Sequence, residues 1–248
     1  FQKFFSHLPL IKALERDFSE AEKALKNAEL LLFSYPVYTF IAPYQLHRFI
    51  EIIKEKNIDL KGKFATQLST SKHFYDVTAH RYIQDNCADM GLKYIRGLSA
   101  DMDDILTEKG QKEAKDFLSF VLFSIENNLY EKESVINTPA KNIAVTVPEE
   151  KNTEKKGDVV ILTNCKDDDV QLKNMIARFR AVTPRKTRVI NIGQYAFKGG
   201  CLGCLSCATT GKCVYKDGFD DFLRGSIQTA ESIIIAFSIK DHSMGASF

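Results

Sequence analysis

"AELLLFSYPVYTFIAP", residues 28–43, contains the pattern on which the fold prediction rests. An apolar run of strand length, 29–34, stops at a loop that Pro36 and Pro43 bracket. Pro43 suits the first turn of a helix, where a backbone N–H has no intrahelical partner to lose. The segment 44–56 then places apolar residues on one face at helical spacing. The stretch therefore predicts a strand, a loop and a helix in that order.

The same alternation continues along the chain. Further strands are predicted at 61–69, 92–99, 158–164, 186–193 and 232–238. Helices are predicted between them and after them, at 76–91, 107–128, 169–182 and 217–230. Most of the strands are continuous apolar runs, which is typical of parallel sheets covered on both faces. The sequence therefore predicts an α/β fold.

Three helix starts carry capping signals. Ser19 followed by Glu22 has the spacing of a capping box. Thr107 and Asp217 each precede a predicted helix and are expected to be N-caps.

Composition limits the class of protein. The 248 residues suffice for one large or two small domains, and a net charge of +2 with dispersed basic residues argues against nucleic-acid binding. The apolar runs are too short or too interrupted to span a bilayer, and we recognise no signal peptide. Six cysteines are too few for a secreted disulfide scaffold. We therefore expect a cytoplasmic protein with no nucleic-acid or membrane partner.

The middle of the chain changes character. Residues 131–157 contain Pro139, Pro148 and a charged run, which is typical of a linker between domains. We therefore predict domains at 1–130 and 158–248. The order of features in 21–43 (a helix, Ala-Glu, an apolar strand and a loop) repeats in 222–244, which indicates two related domains that start at different points. The chain opens without Met and ends just after an apolar run, so we expect a fragment of a longer protein.

Two sets of motifs resemble a known superfamily. The first set is Pro-Val-Tyr at 36–38, Leu-x-Gly-Lys at 60–63 and Ser-Thr at 69–70, which resemble the flavodoxin-like NAD(P)H-dependent FMN reductases. The second is the cysteine motif 201–213 ahead of the apolar strand at 232–238, which resembles the iron–sulfur flavoproteins of that superfamily. The resemblance implies flavodoxin-like, doubly wound parallel sheets in two incomplete domains. The first would be a C-terminal part, and the second an N-terminal part with a cysteine-rich loop.

The resemblance also implies an activity. It points to an FMN-dependent oxidoreductase with NAD(P)H as co-substrate or ferredoxin as donor, and with a small molecule or a protein as the other electron partner. Such proteins often form homo-oligomers. No catalytic side chain is predicted, because hydride transfer to a flavin needs no protein acid.

The flavin contacts are predicted at strand ends. Ligands bind at the carboxyl ends of parallel strands, and a flavin needs flat apolar faces together with hydroxyl or amide donors. The residues with these properties are Pro36, Val37, Tyr38, Ser69, Thr70, Ser71, His73 and Tyr75. The alternative is that prolines and aromatics at these positions only end strand pairing. His80 lies inside a predicted helix, and we expect it to be structural or on the surface.

The second domain departs from the family. Asp167, Asp168 and Asp169 stand where a phosphate loop would lie, and carboxylates repel a phosphate. We therefore expect no FMN in its usual place there. Cys165, at the end of a strand, is expected to be a buried thiol without a chemical role.

Four cysteines lie within thirteen residues: Cys201, Cys204, Cys207 and Cys213. Three cysteines at successive Cys-x2-Cys spacing, Cys201, Cys204 and Cys207, match the wrapping of a [4Fe–4S] cluster in bacterial ferredoxins, and Cys213 would supply a fourth thiolate. Zinc sites usually combine two ligand pairs separated by a longer span. A cluster, a zinc site and a metal-free loop with redox-switching thiols all stay open from the sequence.

Overall fold

The computed structural model describes residues 8–38, 40–72, 75–104, 106–132, 144–149 and 154–248. His73 and Phe74 lie outside the described residues. The chain divides into two compact units, each taken by itself below. The first unit contains Phe1–Ile136 and Asp241–Ala246, and the second contains Asn137–Lys240 and Ser247–Phe248.

The first unit alternates helices and strands. Its helices are α1 Leu8–Arg16, α2 Ser19–Asn27, α3 Tyr44–Glu55, α4 Val77–Asp89 and α5 Glu108–Glu126. Its strands are β1 Leu30–Pro36, β2 Phe64–Ser71, β3 Lys93–Tyr94 and β4 Leu98–Asp101. The short helix α1 lies ahead of the first element that the sequence patterns predicted.

All strand pairs of the first sheet are parallel. β1 pairs with β2 along its whole length, while β3 and β4 pair in succession with the other edge of β2. Both crossovers therefore step in the same direction across the sheet. Right-handed crossovers that step in one direction place α3 and α4 on the same face.

Two short strands, β3 and β4, occupy the sheet position beside β2 where one continuous strand was predicted. β3 ends at Tyr94 and β4 begins at Leu98. Gly97 lies in the gap, and a Cβ built on it would stand only 2.3 Å from Cγ of Gln67 and 2.5 Å from its carbonyl oxygen. The backbone therefore approaches β2 so closely that only glycine fits without movement.

The core of the first unit lies under α3 and α4. Its most deeply buried large side chains include Ile50, Ile53, Leu60, Ile83 and Ile95. β2 is largely buried on both faces, and four of its buried side chains are polar: Thr66, Gln67, Ser69 and Ser71. β1 differs, because Leu31, Phe33 and Tyr35 are buried while the residues between them are exposed.

The predicted caps have different outcomes. Thr107 caps α5, since its side chain accepts a hydrogen bond from the N–H of Gly110. The capping box at Ser19 is wrong: Ser19 is already the first residue of α2, and its N–H donates to Asp17 instead. Asp217 accepts from the N–H of Phe219, but the N-cap position of the short helix there belongs to the next residue, Gly218.

A short C-terminal segment, Asp241–Ala246, belongs to the first unit. Asp241 pairs with Lys54 of α3 at 3.0 Å, and its carbonyl accepts from the amide of Asn86 in α4. The N–H of Ala246 donates to the buried carboxylate of Glu51 at 2.8 Å. The segment thus contacts both helices.

The second unit has a three-stranded parallel sheet. Its strands are β5 Lys156–Thr163, β6 Arg185–Asn191 and β7 Ser232–Ala236, and its helices are α6 Val170–Val182, α7 Ser206–Thr210 and α8 Phe219–Phe222. β5 lies in the middle, with β6 on one edge and β7 on the other. From β5 the chain passes to β6 on one side and then crosses to β7 on the other side. This change of side at β5 is the switch point of a doubly wound sheet.

The protein is thus an α/β protein with parallel sheets in both units. Across the ranges that the structure describes, no helix combines the length and apolar character needed to cross a membrane.

Candidate functional site

The predicted flavin residues of the first unit meet at one edge of its sheet. In the strand register Pro36 lies opposite Thr70, Thr70 lies opposite Ala100, and Ser71 lies opposite Asp101. The N–H of Val37 donates to the carbonyl of Thr70 at 2.8 Å, so the loop after β1 is tied to the end of β2. We call the group Pro36, Val37, Tyr38, Thr70, Ser71 and Tyr75 the strand-end site.

A tight turn shapes the rim of the strand-end site. Tyr38 and Ile41 exchange two backbone hydrogen bonds of 3.3 Å, and Phe40 between them has a left-handed φ of 73°. The Phe40 ring meets the Tyr75 ring edge-on, with centroids 5.7 Å apart. Because Tyr38, Phe40 and Tyr75 are all exposed, the rim presents aromatic surface to solvent.

The hydroxyl of Ser71 has no partner among the described residues. It is buried, with 2% of the residue exposed, and its Oγ makes no hydrogen bond to any of them. A buried hydroxyl without a partner is costly, so this atom calls for a partner from outside the described residues.

Ser69 has a different role from the one predicted. Its side chain is fully buried, and its hydroxyl donates to Asp76 at 2.9 Å and lies 2.7 Å from Nε2 of His80. The hydroxyl of Ser99 also donates to the same oxygen of Asp76. Ser69 therefore links Asp76 to His80 in a buried network.

A second buried network lies next to this one. The Tyr35 hydroxyl donates to the side-chain carbonyl of Gln67 at 2.5 Å, and the Gln67 amide donates to Tyr94 and to the backbone carbonyl of His80. Burial raises the pKa of Tyr35, and it raises the pKa of Tyr94 to about 12. Both phenols therefore stay protonated and act as fixed hydrogen-bond groups.

The corresponding strand end of the second unit is arranged differently. Asp169 is the N-cap of α6, accepting from the N–H of Leu172, and its other carboxylate oxygen bonds the hydroxyl of Ser238. Asp167 and Asp168 precede it in the same loop. Cys165 is partly rather than fully buried, and burial and the nearby carboxylates raise the pKa of its thiol. The loop therefore offers negative charge where a phosphate would need donors.

The cysteine loop, residues 201–213, is anchored at its base. The hydroxyl of Tyr215 donates to the carbonyl of Gly200 at 2.9 Å, and Asp217 accepts from the N–H of Lys198 at 3.1 Å. Four aromatic rings from the segments that flank the loop pack against one another: Tyr195, Phe197, Phe219 and Phe222. The base of the loop is therefore held by both polar and apolar contacts.

The sulfurs of the cysteine loop do not form a metal site as the chain stands. Cys201, Cys204 and Cys207 are exposed, Cys213 is half-buried, and all four are free thiols. Cys207 lies in the one-turn helix α7, which the sequence patterns did not predict. Within the described ranges, no three His, Cys, Asp or Glu side chains are placed to hold a metal ion. The [4Fe–4S] and zinc ligands therefore stay predictions.

Comparisons with known proteins leave the family open. No family model matches the chain, and no curated protein matches it. Among solved structures it is similar to a protein described as NADPH-quinone reductase from P. pentosaceus. The identity is 13% and the TM-score 0.36, over 48% of this chain and 89% of that one. It is also similar to a thermophilic tryptophan halogenase from Streptomycin violaceusniger, at 15% identity and a TM-score of 0.36, over 46% and 79%. The activities named for these two structures are properties of those proteins. At this level of similarity they do not indicate what this chain binds.

The sequence patterns missed Asp76, His80 and Ser99 as members of the site. Asp76 and His80 are four residues apart at the start of α4, a spacing that brings side chains together on a helix. Ser99 comes from the next strand, so only the strand register placed it beside them.

Proposed function

We propose that the strand-end site of the first unit binds the isoalloxazine ring of FMN, and that the protein is an NAD(P)H-dependent flavin oxidoreductase. The observation that carries the proposal is the joining of an aromatic rim to a buried, unpartnered Ser71 hydroxyl at the ends of parallel strands. A flavin needs this combination of apolar faces and a few placed polar groups. FMN, when bound, would supply the hydride chemistry.

The chain's own residues would bind and orient the ring. Tyr38 and Tyr75 offer apolar faces, and the Pro36–Thr70 pairing holds their two loops side by side. The Ser71 hydroxyl would form a hydrogen bond with the polar edge of the ring. This bond would remove the cost of a buried hydroxyl without a partner. The resemblance of Pro-Val-Tyr and Ser-Thr to the FMN reductases supports the same assignment.

The proposal is tested by titrating the whole chain into FMN and, separately, into riboflavin, followed by flavin fluorescence and visible difference spectra. We expect saturable binding of both, because the contacts named are to the ring. Tyr75→Ala should weaken binding about tenfold, which corresponds to roughly 1.4 kcal/mol. Tyr130→Ala, at a half-exposed tyrosine on α5's C-terminal side, is the matched control and should bind normally. Absence of saturable binding by the wild-type chain would refute the proposal.

Activity is tested separately from binding. With FMN bound, the chain should oxidise NADH or NADPH in the presence of an artificial electron acceptor such as ferricyanide. A chain that binds FMN but oxidises neither nicotinamide would be a flavin-binding protein and not the enzyme proposed.

A second candidate function rests on the exposed thiols. Because Cys201, Cys204 and Cys207 are exposed on a loop with an anchored base, we propose as the alternative that they form reversible disulfides. Mild oxidation with diamide, followed by mass spectrometry before and after reduction, tests this. A disulfide between two of these cysteines that dithiothreitol reverses would support it, and irreversible or absent oxidation would reject it.

A further inference from the structure

A histidine and an aspartate of the first unit are joined through one serine hydroxyl. Nε2 of His80 lies 2.7 Å from Oγ of Ser69, and that Oγ lies 2.9 Å from Oδ2 of Asp76. The direct distance from Nε2 to Oδ2 is 3.4 Å. Ser99 adds a second hydroxyl on Oδ2 at 2.5 Å. We call His80 and Asp76, with Ser69 as the bridge between them, the hydroxyl-bridged pair.

The bonding pattern assigns the protons. A carboxylate only accepts hydrogen bonds, so the Ser69 and Ser99 hydroxyls both donate to Asp76. Ser69 has only one proton, and therefore its oxygen must accept from His80. That acceptance fixes the proton of the neutral imidazole on Nε2 and leaves Nδ1 as a lone pair.

The hydrogen bond and the ion-pair contact described for the His80 ring both involve Nε2, so Nδ1 takes part in neither. The His80 side chain is 21% exposed, whereas Asp76 and Ser69 are buried. The ring thus connects a buried carboxylate with the part of α4 that solvent reaches.

The charges around His80 act in opposite directions. Burial lowers the pKa of His80, and Arg96 lowers it further, while the carboxylate of Asp76 raises it. The net pKa lies below the ordinary value, and the ring is therefore neutral at pH 7 with its lone pair available.

The hydroxyl-bridged pair lies next to the strand-end site. Ser69 lies two residues before Ser71 in β2, so their side chains point to the same face of the sheet, and Ser99 lies opposite Ser69 in the register of β4. From the sequence, His73 was the histidine considered for proton transfer at this site, and His80 was expected to be structural or on the surface. His73 lies outside the described residues.

We propose that His80 is the proton-transfer group of the strand-end site, held by Ser69 and Asp76. The inference rests on the function proposed above, and the ligand class is a flat heteroaromatic ring with an acidic N–H or O–H. In the step, the Nδ1 lone pair takes the proton from that N–H or O–H, and the imidazolium then returns it to water. Asp76 stabilises the imidazolium through the Ser69 hydroxyl, as a carboxylate orients and stabilises an imidazole in other proton-transfer sites.

The proton assignment is tested by nitrogen-15 NMR of the imidazole rings in the whole chain. We expect His80 to be the Nε2–H tautomer above pH 8. Asp76→Asn should lower the pKa of His80 measurably, because the carboxylate that favours the imidazolium is gone. His80→Gln identifies the signals, and His242→Gln, at a distant histidine of the same unit, is the matched control.

Either of two results would overturn the assignment. One is an Nδ1–H tautomer, and the other is a His80 pKa that Asp76→Asn does not change. If Asp76→Asn does not fold, Ser69→Ala replaces it and should remove the tautomer preference, since the bridging hydroxyl is lost.

The ligand part of the proposal has its own measurement. Adding FMN to the labelled chain should shift the His80 ring signals, and FMN affinity should change with pH across the His80 titration in the wild type but not in His80→Gln. If FMN binds and leaves His80 unperturbed, this inference fails while the flavin site stands. If FMN does not bind, the flavin proposal and the ligand role of His80 fail together, and the tautomer measurement still decides whether the hydroxyl-bridged pair exists.

Discussion

Buried polar side chains organise the first unit at the scale of single residues. Gln67 is fully buried, yet its amide joins β1, β3 and α4 through Tyr35, Tyr94 and the His80 carbonyl. Satisfied networks of this kind hold a structure in one arrangement, because every alternative leaves a buried donor or acceptor unpaired. The strand-end site therefore lies on a rigid support.

His47 makes the first unit sensitive to acid. Its ring is buried in α3 and stacks on Tyr82 with centroids 4.0 Å apart. Nδ1 lies 3.4 Å from the Ser243 hydroxyl, and Nε2 is without a partner among the described residues. Burial lowers the pKa of His47 to about 4, although the carboxylate of Glu51 acts in the opposite direction.

The sign of the pH effect follows from that shift. The unfolded chain binds a proton at His47 below about pH 6.5, whereas the folded chain binds it only near pH 4. Stability from the neutral ring is therefore complete above pH 6.5 and is lost as the pH falls towards 4, by up to about 3 kcal/mol. His47→Phe keeps an aromatic ring on Tyr82 and should lose less stability between pH 7 and pH 4.5 in urea unfolding. Wild-type acid sensitivity in His47→Phe would contradict this, and His242→Gln should retain that sensitivity.

At the scale of elements, the interruption between β3 and β4 sets how closely the chain packs against β2. β3 and β4 are separated at Gly97, where the backbone comes within contact distance of Gln67. On one side of the break Tyr94 bonds the Gln67 side chain, and on the other side Ser99 bonds Asp76. Both buried networks thus take a residue from beside this close backbone approach.

Gly97→Ala should damage this arrangement. The new Cβ would overlap Gln67 side-chain and backbone atoms, and overpacking of this kind costs about 1–3 kcal/mol. Gly225→Ala is the matched control, since nothing lies within 4 Å of its added Cβ and its backbone is not in the left-handed region. Chemical denaturation followed by circular dichroism compares the two, and equal stability of both variants would contradict the close approach.

At the scale of the whole molecule, the two units differ in how far their thiols are exposed to solvent. Cys87 is completely buried in the first unit, whereas Cys201, Cys204 and Cys207 are exposed in the second. Thiol reactivity depends on access and on the thiolate fraction. The two units should therefore react very differently with the same reagent.

Titration of the native chain with a thiol reagent tests this division. We expect three thiols to react quickly, and Cys87 to react only after unfolding in guanidinium. Peptide mapping identifies them, and Cys87→Ala should leave the fast phase unchanged while a variant with serine at the three exposed positions should remove it. Fast labelling of Cys87 in the native chain would contradict the described core.

Much of the fold could be predicted from the sequence, because strands and loops follow from patterns among neighbouring residues. The apolar run 29–34 lies in a strand whose alternate side chains are buried, and Pro36 and Pro43 mark a loop because proline restricts its own backbone. The run 232–238 also forms a strand, although Ile233 and Ile235 are exposed in it. The sequence patterns did not predict three features: α1, α7 and the gap at Gly97. The first two are short, and the gap depends on an approach between residues that are distant in sequence.

The sequence by itself determined the parallel α/β class and the residue types at the end of each strand, because periodicity and turn chemistry are properties of neighbouring residues. Only the tertiary structure decided which of those residues meet. Strand register set Pro36 against Thr70 and brought Ser99 to Asp76, and it turned Ser69 from an expected ligand contact into the bridge that holds His80. Register depends on the packing of whole elements, and that packing is not written in any single stretch of the chain.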